Sequence, residues 1–255
     1  MKDLFDLTGK VSVITGSTKG IGKAMAEALA AFGSKVVISS RKADACDAVA
    51  AGINENGGEA MAHPCNISHK DQLERLVAAT RERWGQIDVL VLNAAVNPYY
   101  GSSLGISDSA FDKVMDVNIK SNHWLCQMVI PEMRERKDGS IIIVSSIGGF
   151  RGSSMLGAYA ISKAADMQLA RNLAAEFSPD NIRVNTVCPG LVKTDFARAL
   201  WENPENRARV EATTPLRRLG EPEDCAGIAV YLASRAGSWT TGQAFTVDGG
   251  VVACG

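Results

Sequence analysis

The chain has 255 residues, 46% of them hydrophobic and 22% charged, with 27 basic against 28 acidic side chains. This composition excludes disordered and fibrous proteins, and the balanced charge gives no general attraction to nucleic acid or an anionic membrane. At this length about three quarters of the unfolded surface is buried, enough to fold without disulfide or metal staples.

Short β-branched runs alternate with longer amphipathic stretches from end to end. Val11–Thr15 predicts a first strand, followed by a glycine-rich turn and a helix over Ile21–Phe32. Lys35–Ser39 and Glu59–Pro64 predict the next two strands, then come a helix over Gln72–Trp84 and a strand over Val89–Asn93. Ser140–Ser145, a helix over Ala158–Phe177, Arg183–Pro189, a helix over Pro222–Ser234 and a strand over Ala244–Asp248 complete the series. Runs such as Val89-Leu90-Val91-Leu92 are apolar throughout, the pattern of strands buried on both faces in a parallel sheet. The expectation is one α/β domain over residues 1–255, a doubly wound fold of Rossmann type with a seven-stranded parallel sheet flanked by helices. The long stretch at about 191–220 follows the carboxyl end of a strand, where such folds place a lid over the ligand.

The first strand runs into Gly16-Ser17-Thr18-Lys19-Gly20-Ile21-Gly22. A pyrophosphate needs backbone that approaches closely and a helix whose free N–H groups and positive end face it. The spacing is G-x-x-x-G-x-G and departs from the commoner G-x-G-x-x-G. On the glycines alone an ordinary turn stays open, but their place between a first strand and a first helix predicts a dinucleotide site. At the end of the second strand an acid would bind the ribose hydroxyls of NAD. Here the chain reads Ser39-Ser40-Arg41-Lys42, with no acid before Asp44. Arg41 offers a charge-assisted fork to a phosphate and Ser40 a hydroxyl, with Lys19 nearby, so NADP(H) is expected over NAD(H). Arg41 and Lys42 as plain solvated residues opening a helix is the alternative.

Ser146 follows the fifth strand, and Tyr159 and Lys163 stand four apart in the next helix, on one face. An ammonium so placed favours phenolate and lowers the tyrosine pKa from about 10, making Tyr159 a proton donor or acceptor near neutrality. Ser146 is placed to hydrogen-bond a reacting carbonyl or alkoxide. A lone Tyr-x-x-x-Lys is also an ordinary surface pair; the serine and the upstream glycine loop turn the balance toward catalysis.

Taken together, Thr15-Gly16-x-x-x-Gly20-Ile21-Gly22, Asn93-Ala94-Ala95, Asn118, Ser146, Tyr159-x-x-x-Lys163 and Pro189-Gly190 resemble the motifs of the short-chain dehydrogenase/reductases over essentially the whole chain. The resemblance implies that Tyr159 is general acid in reduction and base in oxidation, and that Lys163 holds the nicotinamide ribose. It implies that Ser146 orients the substrate oxygen and Asn118 holds a water relaying protons to Lys163. Asn93, Ala94 and Ala95 would lie along the cofactor, and Pro189, Gly190, Val192 and Thr194 would cover the nicotinamide carboxamide. Ala95 stands where the family commonly has glycine. Asn66-Ile67 stands where an aspartate usually meets the adenine, and an asparagine carbonyl is still able to accept that hydrogen bond.

The segments Asn93–Ser102, Arg217–Ile228 and Val37–Lys42 are also similar to the NADPH-dependent carbonyl and retinal reductases of the dehydrogenase/reductase member 4 group. Animal members carry a peroxisomal C-terminal tripeptide, and Ala253-Cys254-Gly255 is not one. A homotetramer is implied, with the helices near Asn118 and Tyr159 and the segment 244–255 at interfaces.

The side chains expected around the reacting oxygen are Tyr99, Tyr100, Phe150, Met155, Leu156, Phe196, Leu200 and Trp201. They suit a medium-sized hydrophobic ketone or dicarbonyl better than a sugar, and about half are expected only to pack the lid. Arg151 and the Arg217-Arg218 pair are the cations available to a carboxylate or a phosphopantetheine, which keeps 3-oxoacyl-[acyl-carrier-protein] reduction as the rival substrate. A non-catalytic NADP(H)-sensing regulator is the alternative of another class; the presence of both Tyr159 and Lys163 favours the enzyme.

The six cysteines show no C-x-x-C pair and no histidine at zinc-ligand spacing, so free thiols in a reducing compartment and no metal are expected. The N-terminus alternates charge with apolar residues, unlike a signal peptide, and no apolar run reaches about 18 residues. The expected setting is cytoplasmic, with a small carbonyl compound as partner and no nucleic acid or membrane.

Overall fold

A computed structural model describes residues 2–254, so Met1 and Gly255, the ends of the expected domain and of the expected interface segment, lie outside the described residues. In chain order the elements are β1 (Val11–Thr15), α1 (Gly20–Ala31), β2 (Lys35–Ser39), α2 (Ala43–Glu55), β3 (Glu59–Ala62), α3 (Lys70–Trp84), β4 (Val89–Leu92) and α4 (Asp108–Met115). There follow α5 (Ser121–Arg136), β5 (Gly139–Val144), α6 (Gly157–Phe177), β6 (Ile182–Pro189), α7 (Arg198–Trp201), α8 (Pro204–Thr213), α9 (Ala226–Ala233), β7 (Ala244–Val247) and α10 (Val251–Cys254). The seven strands form one sheet in the order β3-β2-β1-β4-β5-β6-β7, and every neighbouring pair is parallel.

Alternation along each strand explains why the runs are apolar throughout. Val13, Leu90, Leu92, Ile141 and Ile143 point to one face, where they meet Leu76 of α3, Leu125 and Val129 of α5 and Leu173 of α6. Ile14, Val91 and Ile142 point to the other, against Met25 and Leu29 of α1 and Val230 of α9. Each such side chain contributes about 1.5–3 kcal/mol on burial.

Element ends differ from expectation by one or two residues, each for a local reason. β3 stops at Ala62, before Pro64, which has no N–H for a ladder. β4 stops at Leu92 because the Asn93 N–H turns to Thr15 Oγ1, 3.0 Å away. β7 stops at Val247 because Asp248 accepts from the N–H groups of Gly250 and Val252 at 2.9 and 2.8 Å, capping α10. The expected helix over Pro222–Ser234 begins as a 3-10 turn, Pro222–Cys225, and becomes α-helical only at Ala226. Between α4 and α5 the helix widens into a π-turn over Asp116–Lys120, which carries Asn118.

Candidate active site

The strand order reverses between β1 and β4, and there the carboxyl ends of the strands open a crevice of about 1110 Å³. Its floor is the glycine loop. Gly16 has φ +67°, and a Cβ there would lie 3.0 Å from Asn93 Nδ2 and 3.1 Å from Ala94 Cα. A Cβ at Gly22 would collide outright, at 2.3 Å from Asn93 Nδ2 and 2.5 Å from Gly16 O. Asn93 stitches the loop down: its Nδ2 donates to the carbonyls of Thr15 and Gly16 at 2.9 and 3.2 Å. Thr15 Oγ1 accepts in return from the N–H groups of Asn93 and Ala94. The result is a bare backbone cradle at the start of α1, with no side chain capping the first-turn N–H groups. That geometry fits the pyrophosphate of a dinucleotide.

Thr18, Lys19, Gly20, Ile21, Ser40, Arg41, Asn66, Ile67, Ala94, Ala95, Pro189, Gly190, Val192 and Thr194 all line the same cleft. Ser17 does not. It is fully buried, donating to the Ile14 carbonyl at 2.8 Å and accepting from the Ser39 N–H at 2.8 Å, so it ties the loop to β2. Lys19 reaches the segment after β6: its Nζ lies 3.0 Å from Asp195 Oδ2, and Arg198 pairs with the same carboxylate. Hydrogen bonds from Lys19 and Arg198 hold the Asp195 carboxyl below the usual carboxylate range. Arg41 and Lys42 are exposed at the cleft edge, and neither forms an ion pair among the described residues. Asn66, on the cleft wall, accepts at Oδ1 from the Ser68 N–H at 3.2 Å.

At the other end of the cleft, Ser146, Tyr159 and Lys163 converge. Ser146 caps a 3-10 turn, Ile147–Gly149, by accepting from the Gly148 N–H at 3.0 Å, which leaves its hydroxyl proton free to donate. The Lys163 ammonium sits 5.7 Å from the centre of the Tyr159 ring. Asn118 is fully buried and does not line the cleft; its amide spans the Val96 N–H and carbonyl and the Ser162 hydroxyl at 2.8–3.0 Å. Its side chain therefore braces the loop after β4, while its backbone carbonyl accepts from the Asn122 amide at 2.7 Å.

The segment over the cleft folds into α7 and α8. Phe196 reaches down to Tyr159, with ring centres 6.0 Å apart, and Leu200, Tyr100 and Leu156 also line the cavity. The other four side chains expected there are elsewhere. Trp201 donates its indole N–H to the Thr194 carbonyl at 2.9 Å and so braces the segment after β6. Tyr99 donates to the Ser102 carbonyl at 2.9 Å and packs its own loop. Phe150 and Met155 face solvent. Of the cations, Arg151 lines the cleft, whereas Arg218 is held in a fork by Asp224 at 2.5 and 2.8 Å outside it.

A family model described as enoyl-(acyl carrier protein) reductase matches residues 16–252. The chain is 43% identical over 244 residues to dehydrogenase/reductase SDR family member 4 of Homo sapiens, covering 96% of this chain and 88% of that protein. It belongs to the short-chain dehydrogenase/reductase family. A gluconate 5-dehydrogenase from Burkholderia cenocepacia, solved with NADP and tartrate, superposes with a TM-score of 0.95 at 28% identity, covering 100% of this chain and 99% of that one. A 7α-hydroxysteroid dehydrogenase solved with NADH and 7-oxo glycochenodeoxycholic acid superposes with a TM-score of 0.94 at 36% identity, covering 98% and 97%. As a member of this family the chain is an NAD(P)-dependent dehydrogenase or reductase.

Within this short-chain dehydrogenase/reductase, sequence reasoning missed two residues that organise the site and gave no role to a third. Thr15 stood only as the first residue of the glycine motif, its hydroxyl hidden at the end of the first strand. Asn122 and Asp166 lie on helix faces turned to the core, where Asp166 is fully buried. The signal for Asp166 was present: a carboxylate three residues past Lys163, on the buried side of an amphipathic helix, demands a partner. Among the described residues no helix is long and apolar enough to cross a membrane, and no three His, Cys, Asp or Glu side chains cluster to hold a metal.

Proposed function

We propose that this enzyme is an NADPH-dependent reductase of medium-sized hydrophobic ketones or dicarbonyls. The observation that carries the proposal is the meeting of Ser146, Tyr159 and Lys163 in the cleft whose floor is the glycine cradle. When bound, the nicotinamide cofactor supplies the hydride. Ser146 donates a hydrogen bond to the substrate oxygen, Tyr159 delivers a proton from its Oη as negative charge develops there, and Lys163 favours the phenolate left behind. The apolar wall of Tyr100, Leu156, Phe196 and Leu200 favours a hydrophobic substrate body over a polyol. The preference for NADPH is supported by the unpaired Arg41 beside Ser40 and Lys42, a fork for a 2′-phosphate with no acid to repel it. We further infer a cytoplasmic homotetramer, in keeping with five buried free cysteines and a half-buried apolar tail at Val251 and Val252.

The test follows NADPH and NADH consumption against aromatic ketones, α-dicarbonyls and an acetoacetyl thioester. Turnover of ketones or dicarbonyls, lowered about 10²–10⁴-fold in Tyr159→Phe with NADPH binding retained, is the expected result. Arg41→Ala is expected to weaken NADPH about tenfold or more and leave NADH unchanged. Turnover of the thioester alone transfers the assignment to 3-oxoacyl reduction. Tight NADPH binding with no turnover of any of these moves it to a cofactor sensor.

A further inference from the structure

The proton-transfer scheme leaves one buried charge unused. Asp166 is fully buried and Lys163 is 3% exposed, and Asp166 Oδ2 lies 2.9 Å from Lys163 Nζ. The same ammonium donates to the Val144 carbonyl at 2.9 Å. The other oxygen of Asp166 accepts from Asn122 Nδ2 at 3.1 Å, and that amide also donates to the Asn118 carbonyl at 2.7 Å. A continuous line thus runs from the π-turn at Asn118, through Asn122 and Asp166, to Lys163. An ammonium has three N–H donors. Two are spent inside the protein, so only the third direction is left for the cleft. We infer that Asp166 is a positioning residue for Lys163, fixing where the ammonium points and holding back its charge from Tyr159. The inference rests on the proposed role of Tyr159 in proton transfer.

The surroundings leave the carboxylate as the deciding charge. Burial works against the Lys163 ammonium, but the Asp166 carboxylate and Tyr159 outweigh it and keep the lysine above its usual pKa. Burial pushes the Asp166 carboxyl up, opposed by the Lys163 charge and by hydrogen bonds from Lys163 and Asn122. The other titratable groups facing the pair are thiols. Burial pushes Cys126 of α5 up to about 12 and Cys188 of β6 also upward, so both stay neutral across the working range. Around Lys163 the opposing charge comes from Asp166, and a lysine so paired exerts a smaller field on a neighbouring phenol than an unpaired one.

The experiment is an ultraviolet titration of the phenolate in the full chain, for the unsubstituted protein and for Asp166→Asn. Tyr159→Phe in each background is subtracted to isolate Tyr159 from the other three tyrosines. Asp166 follows Tyr159 by seven residues on α6, about 10 Å along the axis, so its removal at an effective dielectric of about 20 moves the titration acidward by roughly one pH unit. Asp166→Ser, neutral and smaller, carries the same prediction should Asp166→Asn not fold. Asp166→Glu keeps the charge and leaves the titration where it was. The high-pH limb of the reductive turnover profile, where Tyr159 loses the proton it donates, moves with the phenolate. A titration that stays put or moves alkaline in both neutral variants overturns the inference. Because it is read without substrate, it is separable from the proposed function: lack of turnover with a moved titration sinks the function alone, and turnover with an unmoved titration sinks the role of Asp166 alone.

Discussion

Replacing Gly22 by alanine adds one carbon at the most crowded point of the cofactor cradle. The new Cβ would stand 2.3 Å from Asn93 Nδ2 and 2.5 Å from Gly16 O, where about 3.4 Å is ordinary contact, so something must move by about 1 Å. Neither neighbour is free to swing away. Gly16 O is backbone, and Asn93 Nδ2 is held by two hydrogen bonds of 2.9 and 3.2 Å. Losing those bonds costs about 2 kcal/mol and the overpacking about 2 more, while alanine returns about 1 kcal/mol of helix propensity. The net expectation is a loss of about 3 kcal/mol, with weakened NAD(P)H binding because the displaced atoms form the cradle. Urea unfolding followed by tryptophan fluorescence measures it. Gly52→Ala is the control: it sits within α2 with nothing within 4 Å of the added carbon, and is expected to stabilise by about 0.5–1 kcal/mol. An unfolding free energy for Gly22→Ala within about 1 kcal/mol of the unsubstituted protein would refute the steric account.

Thr15→Val removes the oxygen that accepts from Asn93 and Ala94; with two N–H groups left unpaired it is expected to lose about 3 kcal/mol in urea unfolding, and Thr15→Ser to lose little. Asp224 is held at about pKa 2 by the Arg218 fork and by the Glu221 N–H it caps, below its ordinary 3.8. A depressed acid stabilises the fold above the unfolded value, so the contribution is complete above about pH 4 and lost as pH falls through about 2. Asp224→Asn should therefore be less stable by about 1 kcal/mol at neutral pH, a gap that closes in acid unfolding curves; a gap that persists there would point to packing instead. Burial pushes Cys65 up to about 11 and Cys225 up to about 12, and among the described residues Cys254 alone is exposed. An aromatic disulfide reagent at about pH 8 should find the five buried thiols slow in the native protein and all six cysteines fast after unfolding.

The fold was legible because its signals are local and repeated. Val89-Leu90-Val91-Leu92 reads as a doubly buried strand without knowledge of its neighbours, and a glycine loop between strand and helix marks the nucleotide end of a parallel sheet. Tyr159, Lys163 and Ser146 were legible because their spacing fixes them to one helix face and one strand end. The substrate wall was only half legible: Tyr100, Leu156, Phe196 and Leu200 line the cleft, whereas Tyr99, Phe150, Met155 and Trp201 do not. Loop side chains have no period from which a direction can be read, and in Tyr99 and Trp201 a hydroxyl and an indole N–H found backbone carbonyls nearer to hand.

By itself the amino-acid order determined the layer architecture, the cleft at the strand ends and the residue types available for proton transfer, all consequences of periodicity and of backbone freedom at glycine. Tertiary structure alone decided which polar groups spend their hydrogen bonds on the protein and which keep them for a ligand. Ser17, Asn93 and the Asn118 side chain are consumed in bracing, Lys19 reaches across to the segment after β6, and Lys163 is paired with Asp166. Each of those choices is set by contacts between segments far apart in the chain, where a buried donor or acceptor must find the nearest partner in space, and no local pattern records where that partner will be.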